Sequence, residues 1–171
     1  MLTISLSELQ AVRPVSGNFP TGTGVDRFSM FVDEARRMDI QPAIGSDLLY
    51  KIDNDSTSPL TYAALLDGGD YEHNGDRYLF PGLKKALCFF VYARLVKSNQ
   101  VNVTAYGVTI KTNENSEPVE EKTIQRISND AYNTAIAYLQ DCMTYIQRML
   151  PTQEVKGISE HKKTRFSSIG D

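Results

Sequence analysis

The spacing of apolar residues along the chain predicts a mainly helical protein with three main helices. Between residues 25 and 39, apolar residues recur every three or four positions, which is the period of one face of an α-helix. The predicted buried face consists of Val25, Phe28, Val32, Ala35 and Met38. A central helix is predicted from Pro81 to about Ser98, because proline is well suited to the first position of a helix. The last helix is predicted from about Val119 to Leu150, where apolar residues follow a near-heptad spacing.

Shorter elements are predicted between these helices. Before Pro14 we expect an extended start followed by one or two helical turns. The segment Ile40–Gly45 contains a proline and ends in glycine, so we expect it to break the helix that precedes it. Short helices are predicted from Ser46 to Ile52 and from Leu60 to Leu66.

Two segments have the pattern of β-hairpins. The first spans Tyr71 to Phe80 around Asn74-Gly75, the strongest two-residue hairpin turn. The second lies between the central and the last helix, where apolar and polar residues alternate on both sides of Tyr106-Gly107. This second segment is either a hairpin or an extended loop with two β-like arms. Its alternating apolar residues are Val101, Val103, Val108 and Ile110. We predict that these four residues, together with Tyr106, contact a neighbouring subunit or another partner.

The central helix is apolar on nearly every side. A helix of this kind is buried on most of its faces. Full burial by the atoms of so small a domain is difficult, so one interpretation is that part of the surface, including Phe89 and Tyr92, faces a neighbouring subunit. The alternative is that both residues belong to the core of the chain itself.

The last helix is unusually long. Its predicted length is roughly 48 Å at 1.5 Å per residue, well above the average for globular proteins. It either packs along the whole domain or projects from it to contact a partner. Pro151 ends the helix, and residues 151–171 are too poor in apolar residues to form a core. The sequence therefore predicts one domain, 1–150, and a flexible tail, 151–171, with a basic cluster of Lys162, Lys163 and Arg165.

Composition narrows the class of protein further. The net charge of -3 argues against a protein that mainly grips nucleic acid phosphates. The longest apolar run is Ala86–Val96, too short to cross a bilayer, and the first ten residues lack the features of a signal peptide. Cys88 and Cys142 are expected to be buried thiols rather than a disulfide. These features predict a cytoplasmic protein in a reducing environment.

No pattern in the sequence indicates an enzyme. His73, in the predicted Asn74-Gly75 turn, and His161, in the tail, have no neighbouring partner typical of a general base or a metal ligand. Phosphate-binding loops, nucleophile elbows and zinc-protease motifs are missing. Asp53 and Asp55 do not complete a calcium loop and are expected to be solvated loop carboxylates. We therefore predict no catalytic residue, no cofactor and no metal site.

Three segments resemble the head-tail connector, or adaptor, proteins of tailed phages, especially those of Bacteroidetes prophages. These segments are Ala35–Leu49, Gly68–Lys85 and Asn102–Val119, and they are followed by the long last helix. The resemblance covers about residues 1–150. It implies a mainly α fold, a small helical bundle with a long C-terminal helix and one or two short β-hairpins.

The resemblance also implies a function and a set of partners. Connector subunits form a ring beneath the portal, extend the DNA channel without binding DNA specifically, and present a surface to a stopper or tail protein. It implies a place in the host cytoplasm during assembly and then in the neck of the virion. By this analogy, the end of the last helix and the Lys162, Lys163 and Arg165 cluster contact the portal. Two other functions stay open: a bacterial helical interaction module, and another small virion completion protein.

Overall fold

A computed structural model of the chain describes residues 1–15, 27–54, 59–98, 101–104, 107–110 and 120–150. The described part is mainly helical, with a long C-terminal helix and two short hairpins, so the predicted fold class is confirmed. The helices are α1 Leu6–Val12, α2 Arg27–Ala35, a π-helical turn Arg36–Ile40, α3 Gln41–Ile44, α4 Ser46–Asn54, α5 Pro59–Asp67, α6 Leu83–Ser98 and α7 Glu121–Met149. The strands are β1 Gly69–His73, β2 Asp76–Phe80, β3 Val101–Thr104 and β4 Gly107–Ile110.

Helices α6 and α7 pack against each other along their lengths and form the centre of the core. The two helices run antiparallel. The ring of Phe89 lies 5.4 Å from that of Tyr138, whereas the ring of the next residue, Phe90, lies 5.3 Å from that of Tyr132, which precedes Tyr138 in α7. At the end of α6, the Ser128 hydroxyl donates a buried hydrogen bond to the Ala93 carbonyl at 3.0 Å. Buried residues occur along α7 from Ser128 to Ile146, so this helix packs along the domain over most of its length.

The apolar surface of α6 is covered by this chain's own atoms. Helices α1, α2, α5 and α7 all contact it, and nine of its sixteen residues are buried. The interpretation that a neighbouring subunit covers part of α6 is therefore wrong for Phe89, which is only 6% exposed. Tyr92 is partly buried against the same core. The short helices α1, α2 and α5 cover apolar residues of α6, which the sequence pattern of α6 alone did not predict.

The helix that begins with α2 does not break at Ile40–Gly45, contrary to expectation. It passes through the π-helical turn and continues as α3, and it ends at Gly45, whose φ is 86°. Single π turns of this kind occur within α-helices and change the helical register locally. Its buried Arg36 reaches the carboxylate of Asp53 in α4, which also accepts the Leu2 amide at 2.7 Å. Asp53 is therefore a helical residue in a partly buried ion pair and not a solvated loop carboxylate.

The first hairpin forms as predicted around Asn74-Gly75. Both residues have positive φ, 54° and 85°, as a type I′ turn requires. Tyr71 and Tyr78 are directly opposed across the strands with their rings stacked at 5.3 Å. Arg148, in the last turn of α7, lies 4.1 Å from the Tyr78 ring and donates to the Tyr71 hydroxyl at 3.1 Å. These contacts fix the hairpin to the C-terminal end of α7.

Candidate assembly interface

The second hairpin brings together four residues that the sequence singled out. In its antiparallel register, Val101 is opposite Ile110 and Val103 is opposite Val108. Because side chains alternate between the two faces of a strand, this register assigns all four positions to one face. The other face has Asn102 opposite Thr109 and Thr104 opposite Gly107. The hairpin therefore has one aliphatic face and one polar face, and the alternative of an extended loop is wrong.

Among the described residues, β3 and β4 contact mainly each other. The β1–β2 hairpin is different, since it packs on the end of α7. A lone two-stranded hairpin is marginally stable in water, and an aliphatic face gains stability only when something covers it. The aliphatic face of β3–β4 is thus the best candidate for an interface.

The placement of β3–β4 predicts a hydrogen-exchange pattern. In the free chain, we expect the amides of β3 and β4 to exchange much faster than those of α6 and α7, because opening the hairpin exposes little buried apolar surface. On assembly the same amides should become protected. Exchange mass spectrometry on monomer and assembly measures both states. Protection of β3 and β4 in the monomer comparable to that of α6 would contradict this account.

Several large apolar residues of the body are exposed, and the sequence did not predict their exposure. Met30 and Met38 are spaced four residues on either side of Glu34, so the three share one face of the helix. Arg94 of α6 contacts Glu34 at 4.0 Å and Asp39 at 2.5 Å, and the Tyr132 hydroxyl donates to Asp39 at 3.4 Å. These contacts join the helical segment that carries Met30 and Met38 to α6 and α7.

Met30, Met38 and Tyr132 are large side chains that stay exposed on the body. Their exposed fractions are 47%, 69% and 39%. Burial, together with the nearby negative charge of Asp39, raises the pKa of Tyr132, so its hydroxyl keeps its proton at neutral pH. The apolar spacing predicted that Met38 lies on the buried side of the first helix, but its side chain is exposed. Met38 lies in the π turn, which no periodic pattern in the sequence indicates.

The other predicted interface residues lie elsewhere. Phe89 is in the core beneath the guanidinium of Arg13, which is 5.4 Å from its ring centroid, and Tyr92 is partly buried. Four predicted residues lie outside the described part of the chain, namely Tyr106, Lys162, Lys163 and Arg165.

The cysteines and the possible metal ligands do not form a reactive or metal-binding site in the described part of the chain. Cys88 and Cys142 are buried free thiols, and burial raises the pKa of each to about 12, so both stay protonated and unreactive at neutral pH. Within the described ranges, no three His, Cys, Asp or Glu residues are grouped as metal ligands would be. No helix in that part of the chain is long and apolar enough to cross a membrane.

Comparison with known proteins identifies the family. The model of the family of unknown function DUF6712 matches residues 40–150, which is more than half of the chain, so the protein belongs to this family. The matched region extends from the end of the π turn to the residue after α7 and includes both hairpins. No curated protein and no solved structure matches the chain.

Proposed function

We propose that this protein is a structural, non-enzymatic subunit of a phage head-tail connector ring. In this proposal, the ring docks beneath the portal, extends the DNA channel and presents its far side to a stopper or tail protein. The subunit assembles in the host cytoplasm and ends in the neck of the virion. Its weakly negative charge of -3 suits a channel that DNA passes through without specific binding.

One observation carries the proposal: a helical body bears a separate hairpin whose register gathers four aliphatic residues on one face. A protein that acts alone has no evident use for such a face, which costs solubility when uncovered. A ring subunit uses it to hold its neighbour. The three segments that resemble connector proteins lie at the π turn, at the first hairpin and at this second hairpin, which are the features that distinguish the fold from a plain bundle.

The C-terminal end of α7 is the proposed contact with the portal. The aromatic contacts of Arg148 and Tyr145 with the first hairpin fix the position of this helix end. The residues that follow include the Lys162, Lys163 and Arg165 cluster. In this proposal, these residues bind the portal and contribute affinity there.

Deletion of residues 151–171 tests this contact. We expect the truncated chain to melt within a few degrees of the full chain, because the described contacts that hold the end of α7 involve residues before 150. Binding to the portal of the same prophage should weaken clearly. Thermal melts and co-purification with tagged portal protein measure the two effects. A melting temperature lowered by many degrees would show that the tail packs on the core.

Co-purification of the full-length chain with that portal protein tests the proposal itself. We expect the two proteins to form a complex that remains intact through size-exclusion chromatography. If the folded chain shows no association with the portal, either alone or during co-expression, the connector function is contradicted. A bacterial interaction module is then the better description.

A further inference from the structure

One polar side chain joins the last turn of α7 to both strands of the β1–β2 hairpin. The Arg148 guanidinium donates a hydrogen bond to the Tyr71 hydroxyl at 3.1 Å, and its central carbon lies 4.1 Å from the centre of the Tyr78 ring. Tyr71 is in β1, Tyr78 is in β2, and the two residues are directly opposed in the register. Replacing Arg148 therefore removes a contact to each strand at once.

The hairpin and the end of α7 lie side by side and point the same way. Tyr145, three residues before Arg148, stacks on Phe80 at 4.2 Å and meets the Tyr71 ring edge-on at 5.0 Å. Phe80 is the last residue of β2, at the base of the hairpin. The Tyr71–Tyr78 pair that Arg148 contacts is two residues nearer the turn. The last turns of α7 thus follow the hairpin from its base toward its turn.

We infer that Arg148 is a positioning residue for the contact with the portal. It joins the last turn of α7 and the β1–β2 hairpin into one rigid end, so this end is already ordered when the portal binds. The inference rests on the proposed function, which assigns the portal contact to the end of α7 and the residues that follow. It names a side chain that raises the affinity of this contact by acting on Tyr71 and Tyr78 rather than on the portal.

A helix end gains order from such a support. The last four carbonyl groups of a helix have no partner within the helix, and the last turn frays readily. In α7, the Leu150 N–H donates to the Ile146 carbonyl at 3.0 Å, and the Leu150 side chain is partly buried against the core. Arg148 adds side-chain contacts to a second element within this same turn. Because a segment that must be ordered on binding lowers affinity, order already present in the free chain raises it.

The fold itself does not depend on Arg148. Tyr145 and Ile146 are 8% and 0% exposed, so α7 stays packed one turn before its end. The stack of Tyr145 on Phe80 still holds the base of the hairpin when Arg148 is replaced. Loss of Arg148 should therefore loosen the hairpin and the final turn without unfolding the protein, which separates a positioning role from a general contribution to stability.

Hydrogen exchange of the free chain tests the first half of the inference. We expect Arg148→Met to speed exchange severalfold in β1, β2 and the last turn of α7, with exchange in α6 unchanged and the melting temperature within a few degrees of the wild type. Arg126→Met is the matched control, because it makes the same chemical change at an exposed position near the other end of α7. Equal exchange in the two variants would overturn the inference.

Titration of the full-length variants with the portal protein tests the second half. Arg148→Met should weaken binding severalfold, Arg148→Lys should recover part of the loss because it keeps a cation beside the Tyr78 ring, and Arg126→Met should bind as the wild type does. Tyr71→Phe removes only the hydroxyl and no charge, so it should weaken binding in the same direction. Weaker binding by Arg148→Met without faster exchange would show that Arg148 touches the portal directly, which overturns a positioning role.

The two ways of failing are distinguishable. If the wild-type chain binds the portal and Arg148→Met binds equally well, only the positioning role is overturned. If the wild-type chain does not bind the portal at all, the proposed function fails and the positioning role fails with it.

Discussion

Gly82→Ala is expected to destabilise the protein severely, while Gly75→Ala is tolerated. The two glycines have nearly the same positive φ, 83° and 85°, so the backbone strain of adding a Cβ is matched. Their surroundings differ, because a Cβ at Gly75 meets no atom within 4 Å. A Cβ at Gly82 would lie 2.5 Å from the carbonyl carbon of Asp67 and 2.7 Å from the carbonyl oxygen of Leu66.

The atoms that obstruct a Cβ at Gly82 are backbone atoms, which cannot move aside as a flexible side chain can. They belong to the crossing between the end of α5 and the entry to α6, where Gly68 and Gly82 face each other. We expect Gly75→Ala to cost about 1–2 kcal/mol from strain alone. Gly82→Ala should cost a further ~3 kcal/mol, at the upper end of overpacking effects.

Urea denaturation of the two variants measures this difference. Should Gly82→Ala fail to fold at all while Gly75→Ala folds normally, the result agrees with the prediction. Equal losses of unfolding free energy in the two variants would show that the backbone crossing at Gly68 and Gly82 is wrong.

Asp53→Asn is expected to have the second largest effect on stability. Asp53 pairs with Arg36, whose side chain is only 10% exposed and whose Nε has no hydrogen-bond partner. The substitution removes the charge and keeps an oxygen that can accept the Leu2 amide. The remaining carboxylate near Arg36 is that of Asp33, which is 3.4 Å away and 61% exposed. Leaving a buried charge without its main partner costs roughly 3–5 kcal/mol.

The same chemical change at Asp47 provides the control. Asp47 pairs with Lys51 at 2.9 Å on the surface, with side chains 53% and 35% exposed. Exposed pairs contribute about 1 kcal/mol or less, so Asp47→Asn should have a small effect. The double variant Arg36→Met/Asp53→Asn should recover much of the lost stability, because it removes the stranded charge. A loss at Asp53 no greater than at Asp47 would contradict a buried role for the pair.

Local patterns in the sequence predicted most of the elements. Asn74-Gly75 specified the first hairpin, and the apolar spacing of the last helix placed its ends within two residues of the observed Glu121 and Met149. The alternation in Val101–Ile110 also predicted the strands of the second hairpin. These succeeded because periodicity and turn chemistry depend on residues that are close together in sequence.

Features that depend on distant residues were not predicted. The pairing of Arg36 with Asp53 and of Arg94 with Asp39 joins separate helices, and no spacing rule encodes it. The π turn carried the first helix through Pro42, where a break was expected. The close approach of Gly68 to Gly82 was not predicted, because it joins two separate parts of the chain. The exposure of Met38, which lies in the π turn, was not predicted either.

The connector proposal is tested most directly by mass spectrometry of phage particles purified from an induced culture of the source strain. The account predicts that this chain is present at a copy number close to that of the portal, as expected for a ring in the neck. Copies in the hundreds would indicate a capsid or tail-tube role instead. Intact particles that contain the other structural proteins and lack this chain would contradict the account.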